Sequence, residues 1–415
     1  MAEAGWKMEK VCGLRGWDNG GMPLGIYISV PFCRSKCSYC NFASGVFSRA
    51  VFERYVDRVC ADIENAPQIA AEMGGLMERA VDSIYLGGGT PSVLESGQLE
   101  RIFGAVRRHF DVSPEAEVTV ECAPGTLTPA VLESLLRCGV NRVSLGVQSF
   151  VDQEAAAVGR LHKRSTVLED ISRLRIAGIA NINIDLIAGL PHQTTESWEY
   201  CLAETITTGA PHVSVYMLEV DEDSRLGREL LAGGARYHAH FVPDEKAMTD
   251  FYLAACERLQ SAEIAQYEIS NLAREGFESR HNLKYWTRQP YFGFGVDAHS
   301  MLFFVAPDIA AVRFAPADSL ERYMSGAGIQ RSPVSRRAAL EESFFLGLRL
   351  TRGISLRELA ARFSKQEVEA ASAAVAESVG DGLMERRGDF VCLTARGRLL
   401  SNEVFERFMA DAIVR

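Results

Sequence analysis

An alternation of short β-rich segments with amphipathic helical segments is the feature that most constrains the fold of this chain. Six segments between residues 25 and 220 have the composition of buried strands: GIYISV, VDSIYLGG, EVTVECA, RVSLGVQSF, NINIDLIAGL and HVSVYMLEV. The segments between them carry apolar residues at helical spacing, and several of these end on glycine, as helices often do. This pattern predicts a βα repeat with a parallel sheet, which is an α/β fold.

Periodicity alone leaves two parallel arrangements open, a doubly wound sheet and a partial (β/α) barrel. The unusual polar residues and the glycine clusters of this chain fall at the ends of the strand segments, where a barrel builds its site. This placement favours the partial barrel.

The regular alternation of strand and helix segments ends after about residue 240, so we predict four regions. A helix near PDEKAMTDFYLAACERLQS leads into a segment rich in aromatic residues, glycine and histidine. Later helical segments precede GLMERRGDFVCLTARGRLL, a short hairpin pattern before a final helix. The predicted regions are a flexible leader at 1–24 without a secretory signal, the partial barrel at 25–240, a connecting region at 241–335 and a C-terminal winged-helix-like module at 336–415.

Charge and cysteine usage restrict the partners and the compartment. The formal net charge of −10 opposes broad contact with phosphate backbones, so nucleic acid is not a predicted partner. No apolar run approaches the roughly 20 residues that a membrane span needs, although peripheral membrane association stays open. Ten cysteines without a secretion signal predict a reducing, cytoplasmic location, and we interpret the seven scattered ones as small buried hydrophobic residues or equally inert thiols: Cys12, Cys60, Cys122, Cys138, Cys201, Cys256 and Cys392.

Three further cysteines, Cys33, Cys37 and Cys40, stand together in PFCRSKCSYCNF, directly after the first strand segment. Structural zinc needs four nitrogen or sulfur ligands, and no Cys or His lies close by in the sequence to complete such a set. A [4Fe–4S] cluster ordinarily takes four thiolates, so three would leave one iron open to a small molecule. The spacing therefore favours the cluster over zinc.

This segment resembles the CxxxCxxC loop of the radical S-adenosylmethionine (SAM) superfamily, which follows the first strand of a partial (β/α)6 barrel. The resemblance implies a [4Fe–4S] cluster on Cys33, Cys37 and Cys40 with SAM on the open iron, where SAM can be cleaved to a 5′-deoxyadenosyl radical. It also implies SAM contacts, each of which would alone be interpreted as a turn, capping, packing or surface residue: Tyr27, Tyr39, Gly87, Gly88, Gly89, Thr90, Glu121, Gln148, Arg160 and Asp185.

The stretch EISNLAREGFESRHNLKYWTRQPYFGFGVDAHS is similar to the branch of that superfamily that contains the oxygen-independent coproporphyrinogen III oxidases and the HemW heme chaperones, including the HNxxYW signature of the latter. The oxidases carry a further cysteine two positions after the third, where this chain has Phe42. The resemblance therefore implies heme trafficking to an acceptor hemoprotein, with an unidentified electron donor. Oxidative decarboxylation of coproporphyrinogen III is the alternative enzymatic function, and radical methyl transfer is a weaker one.

His281 in HNLKYW is the predicted heme-linked residue, because a neutral imidazole can take an axial iron position, and Tyr285 and Trp286 could flank the macrocycle. The alternative is a hydrogen-bonded structural histidine. His299 is a weaker heme candidate, whereas His238 and His240 in RYHAH are predicted to be surface or packing residues.

Three residues depart from the family pattern. Ser29 stands where many relatives have histidine, Ala123 replaces the usual Asn of ECNPGT, and Asp297 replaces a commoner glycine. The first departure removes an imidazole close to the expected cluster, which weakens the decarboxylase hypothesis.

Overall fold

The structure is a computed structural model that describes residues 21–306 and 308–409. Most of the predicted leader, together with Cys12, lies outside these residues.

Six strands pair in parallel and in chain order. They are β1 (Leu24–Val30), β2 (Ala80–Gly88), β3 (Asp111–Cys122), β4 (Arg142–Gln148), β5 (Asn181–Ala188) and β6 (His212–Met217). A doubly wound sheet would reverse its strand order part-way, whereas here every strand lies beside its successor, as in a barrel. The barrel is partial, because the outer neighbour of β1 is β9 and that of β6 is β8. The predicted partial (β/α)6 barrel is confirmed.

Helices connect these strands and cover the sheet with apolar stripes. The helices of this part are α1 (Arg49–Glu64), α2 (Ala66–Met73), α3 (Ser96–His109), α4 (Pro129–Arg137), α5 (Asp152–Ala157), α6 (Arg164–Ile176), α7 (Thr195–Thr208), α8 (Arg225–Leu231) and α9 (Glu245–Ser261). In α3, Leu99, Ile102 and Phe103 are buried at helical spacing. The helix begins with a capping box, because the Glu95 side chain and the Gln98 side chain each accept from the other's backbone N–H. Such stripes fix each helix to the outside of the barrel.

The region 241–335 extends the same sheet on both sides. It contributes β7 (Ala265–Gln266), β8 (Asn271–Ala273), α10 (Arg280–Trp286), β9 (Tyr291–Phe294), β10 (Ser300–Ala306), β11 (Ile309–Ala315), α11 (Leu320–Met324) and β12 (Gln330–Ser335). Strand β9 pairs in parallel with β1, and β10, β11 and β12 follow in antiparallel order. The strand that precedes the three cysteines is therefore supported on both sides.

A separate small sheet forms the C-terminal module. Its elements are α12 (Arg336–Gly347), β13 (Ile354–Ser355), α13 (Leu356–Phe363), α14 (Lys365–Ala370), α15 (Ser372–Gly380), β14 (Met384–Arg387), β15 (Phe390–Leu393), α16 (Ala395–Leu399) and α17 (Ser401–Glu406). The strand order is β13-β15-β14, and the hairpin of β14 and β15 is the one that the sequence predicted. Two short helices follow it in place of one. The predicted winged-helix-like module is confirmed.

The helices of the described ranges include none with both the length and the apolar character that crossing a membrane requires.

Candidate cofactor site at the carboxyl end of the barrel

The loop that carries the three cysteines leaves the carboxyl end of β1 and closes on itself. The Cys33 N–H donates to the Gly45 carbonyl oxygen at 2.9 Å. The Lys36 ammonium group donates to the carbonyl oxygens of Phe42, at 3.1 Å, and Ser44, at 3.0 Å. The Phe42 side chain itself is exposed. Phe42 therefore contributes its backbone to the loop and leaves its ring at the surface.

Each of the three sulfur atoms has a polar neighbour from the same end of the barrel. The contacts are Thr90 Oγ1 to Cys33 Sγ at 3.6 Å, Arg160 Nη1 to Cys37 Sγ at 3.6 Å, and Ser44 Oγ to Cys40 Sγ at 3.7 Å. Burial raises the pKa of the Cys33 thiol, partly offset by its hydroxyl neighbours. A cationic group that binds these sulfurs would favour the thiolate, because a metal centre deprotonates a coordinating thiol.

The arrangement of the cysteines fits a cluster better than a single ion. Within residues 21–306 and 308–409, no three His, Cys, Asp or Glu side chains converge as the ligands of one metal ion would. The thiolates of a [4Fe–4S] cluster bind different irons of one cube, so they surround a larger centre and need not meet at the point that a single ion would occupy. Cys33, Cys37 and Cys40 are the side chains that would hold such a cluster, which supplies an electron for the cleavage of SAM when both are bound.

The glycine run at the end of β2 brings this strand against the cysteine loop. A Cβ atom on Gly89 would lie 2.7 Å from the Val30 carbonyl oxygen and 2.9 Å from the Phe32 carbonyl oxygen. The N–H of Gly89 donates to Val30 at 2.9 Å, and the N–H of Thr90 donates to Phe32 at 2.8 Å. Glycine is therefore required here by the approach of two backbones, and the run positions the start of the cysteine loop.

Glu121 lies beside this run, at the end of β3. The Tyr85 hydroxyl donates to Glu121 Oε1 at 2.9 Å, and the Gly88 N–H donates to Oε2 at 3.1 Å. Gly87 admits the carboxylate, because a Cβ atom there would lie 2.8 Å from Oε1. Burial, together with the charge of Asp185, raises the pKa of Glu121 to about 7. Glu121 is thus a half-buried carboxyl group that titrates near neutrality.

Asp185, on β5, is the second half-buried carboxyl group of the site. It accepts from the Ser144 hydroxyl at 3.1 Å and from the Asn183 side-chain amide at 2.8 Å. Burial raises the pKa of Asp185 despite these hydrogen bonds. The Asn183 amide nitrogen also contacts the Ser214 hydroxyl at 3.0 Å, so the interior of the barrel is polar across at least three strands.

Gln148 and Arg160 complete the predicted set at the next loop. The side-chain oxygen of Gln148 is buried and has no hydrogen-bond partner among the described residues. The backbone of Gln148 has a φ of 68°, in the left-handed region, which is uncommon for a non-glycine residue. Arg160 donates to the Gly146 carbonyl oxygen and to Cys37 Sγ. An orphaned buried acceptor at the carboxyl end of β4 fits a ligand that brings a donor.

The two tyrosines of the predicted SAM site lie in different surroundings. The Tyr27 ring, on β1, lies 6.2 Å from the Tyr85 ring, inside the barrel. Tyr39 packs against the apolar cluster that includes Val158, Leu226 and Met248. Tyr27 is therefore with Glu121 in the barrel interior, whereas Tyr39 anchors the cysteine loop to the neighbouring loops.

Arg142, at the start of β4, is a buried charge that sequence reasoning missed. Its side chain is buried, and its Nε atom has no hydrogen-bond partner in the part of the chain that the structure describes. It acts electrostatically on both Glu121 and Asp185. An arginine at the first position of a strand that reads RVSLGVQ was the available signal, because a buried strand rarely tolerates a charge without a partner.

The predicted heme residues lie together, but at the amino end of the barrel strands. Ser83, near the start of β2, contacts His281 Nδ1 at 3.0 Å, and the Tyr285 hydroxyl contacts Nε2 at 2.8 Å. The N–H groups of Arg280 and His281 both donate to the Glu117 carboxylate at 3.0 Å. Helix α10 therefore closes the end of the barrel that is opposite to the cysteine loop.

The His281 imidazole is 1% exposed, and burial, with the nearby charge of Lys284, lowers its pKa to about 3. Trp286 stacks beneath the Arg349 guanidinium at 4.4 Å. His281 is thus a neutral imidazole with both ring nitrogens engaged, and heme ligation by it stays a prediction.

The three departures from the family pattern have different structural settings. Asp297 has a φ of 55°, which explains why glycine is common at this position. Ser29 presents its hydroxyl 3.0 Å from where a Cβ atom on Gly88 would lie. The Ala123 carbonyl oxygen accepts from the Thr126 hydroxyl at 2.6 Å in the turn after β3, and nothing in this turn explains the loss of asparagine.

Comparison with known proteins accounts for this geometry. The family model of the radical SAM superfamily matches residues 27–203, and that of the HemN C-terminal domain matches residues 334–400. The heme chaperone HemW of Lactococcus lactis is 31% identical over 94% of this chain and 98% of its own length, and that of Bacillus subtilis is 32% identical over 93% and 99%. The chain belongs to the HemW family.

Other HemW relatives and one solved structure agree with this assignment. The heme chaperone HemW of Mycobacterium tuberculosis is 32% identical over 95% of both chains. Coproporphyrinogen III oxidase (HemN) from Escherichia coli, described as a radical SAM enzyme, superposes with a TM-score of 0.79 and 22% identity over 94% of this chain and 90% of its own. HemN thus shares the fold of this HemW-family chain. As a radical SAM protein, the chain has the fold that holds a [4Fe–4S] cluster and SAM.

The raised pKa of Glu121 predicts a pH-dependent stability. The folded protein keeps a proton on Glu121 up to about pH 7, whereas an unfolded glutamate loses it near about pH 4.3. The folded state therefore binds more protons between these values, and the free energy of unfolding is expected to fall by about 3 kcal/mol between pH 4.5 and pH 8 through this group.

The measurement is urea unfolding of wild type and Glu121→Gln without SAM at pH 5, 6, 7 and 8. The fall is expected to be smaller in Glu121→Gln, whose side chain does not titrate. If the free energy of unfolding falls equally with pH in both proteins, the raised pKa of Glu121 is contradicted.

Proposed function

We propose that this chain is a heme chaperone: it binds a [4Fe–4S] cluster, SAM and heme, and it delivers heme to an acceptor hemoprotein. The observation that carries the proposal is similarity along nearly the whole chain to proteins named as HemW heme chaperones. The three-cysteine loop with Phe42 at the position of a further oxidase cysteine supports the same choice.

We propose that the cluster is held by Cys33, Cys37 and Cys40 and that SAM lies between the cysteine loop and the carboxyl ends of the strands. The orphaned side-chain oxygen of Gln148 supports a bound donor there. The half-buried carboxyl groups of Glu121 and Asp185, whose pKa values are raised, support a polar ligand. The proposed SAM contacts are Tyr27, Tyr39, Gly87, Gly88, Gly89, Thr90, Glu121, Gln148, Arg160 and Asp185.

We propose a cytoplasmic location, with an unidentified hemoprotein as acceptor and an unidentified electron donor. Support comes from the cysteines, because every cysteine of the described ranges is a free thiol, as expected in a reducing compartment. The net charge of −10 disfavours nucleic acid as a partner.

The test of this function is an anaerobic absorbance titration of the reconstituted protein with heme, followed by mass analysis of the recovered tetrapyrrole. We expect saturable binding and an unchanged mass, because a chaperone transfers its ligand without altering it. The same protein is then incubated with coproporphyrinogen III, SAM and a reductant. Loss of carboxylates from coproporphyrinogen III, without saturable heme binding, would show that the protein is a decarboxylase and not a heme chaperone.

Ligation of heme by His281 gives a separate prediction. An axial bond would require the imidazole to leave Ser83 or Tyr285, because both of its nitrogens are hydrogen-bonded. If His281 is the ligand, Ser83→Ala is expected to tighten heme binding severalfold, since a hydrogen bond of about 1 kcal/mol no longer holds the ring. His281→Ala is expected to weaken binding. Equal heme affinity of wild type and both variants in the same titration would contradict ligation by His281.

A further inference from the structure

Ser44 lies in the cysteine loop, four residues after Cys40, and its side chain has no role among the proposed cluster ligands and SAM contacts. Its hydroxyl oxygen lies 3.7 Å from Cys40 Sγ. Burial raises the pKa of the Cys33 thiol, and the hydroxyls of Thr90 and Ser44 act in the opposite direction. The Ser44 hydroxyl is therefore close to two of the three sulfur atoms.

A bound cluster would fix the direction of the hydrogen bond between Ser44 and Cys40. A free thiol and a hydroxyl can each donate to the other. A thiolate that binds iron has no proton, so it can only accept, and the hydroxyl has to donate. Ser44 is therefore a hydrogen-bond donor to Cys40 Sγ whenever Cys40 is a cluster ligand.

The backbone around Ser44 is held by hydrogen bonds within the loop and to its neighbour in the sequence before it. The Lys36 ammonium group donates to the carbonyl oxygens of Phe42, at 3.1 Å, and Ser44, at 3.0 Å. The Ser44 N–H donates to the Phe42 carbonyl oxygen at 2.6 Å, and the Gly45 N–H donates to the Pro31 carbonyl oxygen at 2.8 Å. The position of the Ser44 hydroxyl is thus set by the loop itself.

Thr90 and Arg160 contact the other two sulfur atoms, but each of them also has a second proposed role. Thr90 Oγ1 lies 3.6 Å from Cys33 Sγ, and Arg160 Nη1 lies 3.6 Å from Cys37 Sγ. Both residues are among the proposed SAM contacts, so their substitution would change SAM binding and the cluster together. Ser44 is the sulfur donor whose substitution leaves the proposed SAM contacts intact.

A hydrogen bond to a cluster sulfur changes the reduction potential of the cluster. Reduction adds one electron, and part of the added negative charge lies on the sulfur ligands. A donor stabilises the more negative, reduced cluster more than the oxidised cluster, because hydrogen bonds strengthen with the charge of the acceptor. The donor therefore raises the reduction potential and makes the reduced cluster a weaker reductant.

We propose that Ser44 raises the reduction potential of the cluster through its hydrogen bond to Cys40 Sγ. This inference rests on the proposed function, which assigns the cluster to Cys33, Cys37 and Cys40. The reaction concerned is the transfer of one electron from an external reductant to the cluster, and no bond forms or breaks at Ser44. Because a higher potential weakens the driving force for reduction of SAM, Ser44 favours SAM as a bound ligand over its cleavage.

The experiment is an anaerobic redox titration of the reconstituted full chain with dithionite and without SAM, comparing wild type with Ser44→Ala. Electron paramagnetic resonance follows the reduced cluster. At a fixed ambient potential, we expect the ratio of reduced to oxidised cluster to fall about tenfold in Ser44→Ala, which is a midpoint potential lower by about 59 mV for a one-electron couple. Iron and sulfide per chain are expected to equal those of wild type, because Ser44 is not a cluster ligand.

Two further variants separate the hydrogen bond from the shape of the loop. Ser44→Thr keeps a hydroxyl donor, so its ratio of reduced to oxidised cluster is expected to stay within about twofold of wild type. Ser35→Ala is the matched control, because the Ser35 hydroxyl belongs to the same loop but donates to the Gly159 carbonyl oxygen, at 3.0 Å. Ser35→Ala is expected to leave the midpoint potential unchanged.

The possible outcomes distinguish this inference from the proposed function. If wild type and Ser44→Ala have equal potentials, or if Ser35→Ala lowers the potential as much as Ser44→Ala does, the inference is wrong and the cluster assignment stands. Loss of the cluster from Ser44→Ala would also overturn the inference, because Ser44 would then be required for assembly. If wild type itself assembles no cluster on reconstitution, the proposed function fails.

Discussion

Gly89→Ala is expected to lower the free energy of unfolding by about 3 kcal/mol and to prevent cluster assembly while all three cysteines remain. The added Cβ atom would lie 2.7 Å from the Val30 carbonyl oxygen and 2.9 Å from that of Phe32. Both obstacles are backbone atoms, so no change of rotamer relieves the contact. Moving the strands apart would break the hydrogen bond from Gly89 to Val30, which leads directly into the cysteine loop.

Gly97→Ala is the matched control for this substitution. Gly97 lies in α3, and a Cβ atom there would meet nothing within 4 Å. The same chemical change is expected to stabilise the protein by about 0.5–1 kcal/mol, because alanine is the better helix former. Urea unfolding measures the stability, and iron and sulfide per chain after reconstitution measure the cluster. Full cluster content in Gly89→Ala would show that this close approach does not position the loop.

Glu342→Ala is expected to destabilise the protein by about 3–5 kcal/mol, because it leaves a buried cation without its partner. Arg288 Nε lies 2.7 Å from Glu342 Oε2, and the Arg288 side chain is 1% exposed. Its two terminal nitrogens have no other hydrogen-bond partner in the described ranges. Arg313 also contacts Glu342, at 3.2 Å, so the substitution removes the shared anion of two cations.

Glu341→Ala, at the preceding position of α12, provides the comparison. Glu341 pairs with Arg337, whose side chain is 70% exposed, and such surface pairs contribute about 0–1 kcal/mol. Urea unfolding of the two variants is expected to differ by several kcal/mol. Because Glu342 connects α12 with the segment before β9, limited proteolysis should cut the C-terminal module of Glu342→Ala sooner. Equal stabilities would mean that the buried pair contributes no more than a surface pair.

The sequence predicted the six parallel strands because both their composition and their spacing are local signals. GIYISV and NINIDLIAGL are β-rich runs bounded by helices, so each could be recognised without knowledge of its neighbours. The cysteine loop could also be recognised from a short stretch of sequence alone. Strands β9 to β12 were not predicted, because YFGF is short and its pairing with β1 joins Tyr291 to Gly25, which no window of sequence contains.

The candidate site was predictable only where the residue type and its spacing alone indicate the function of the side chain. The spacing of Cys33, Cys37 and Cys40 is by itself enough to predict a cluster-binding loop. The location of His281 at the amino end of the barrel depends on Ser83 and Glu117, which come from strands far away in the sequence. His238 is exposed, as predicted for a surface residue, and its contact with His192 was not predictable because His192 lies in another loop.

The pairing of β1 with both β2 and β9 has a consequence for biosynthesis. A nascent chain exposes its cysteines early, while Tyr291–Phe294, which pairs with one edge of the strand β1 that precedes them, is still to be translated. At about 5–20 residues per second, the ribosome leaves this interval open for tens of seconds. Iron and sulfide delivered during translation would meet a loop whose supporting strand has one free edge. Insertion of the cluster is therefore best completed after the chain has been released.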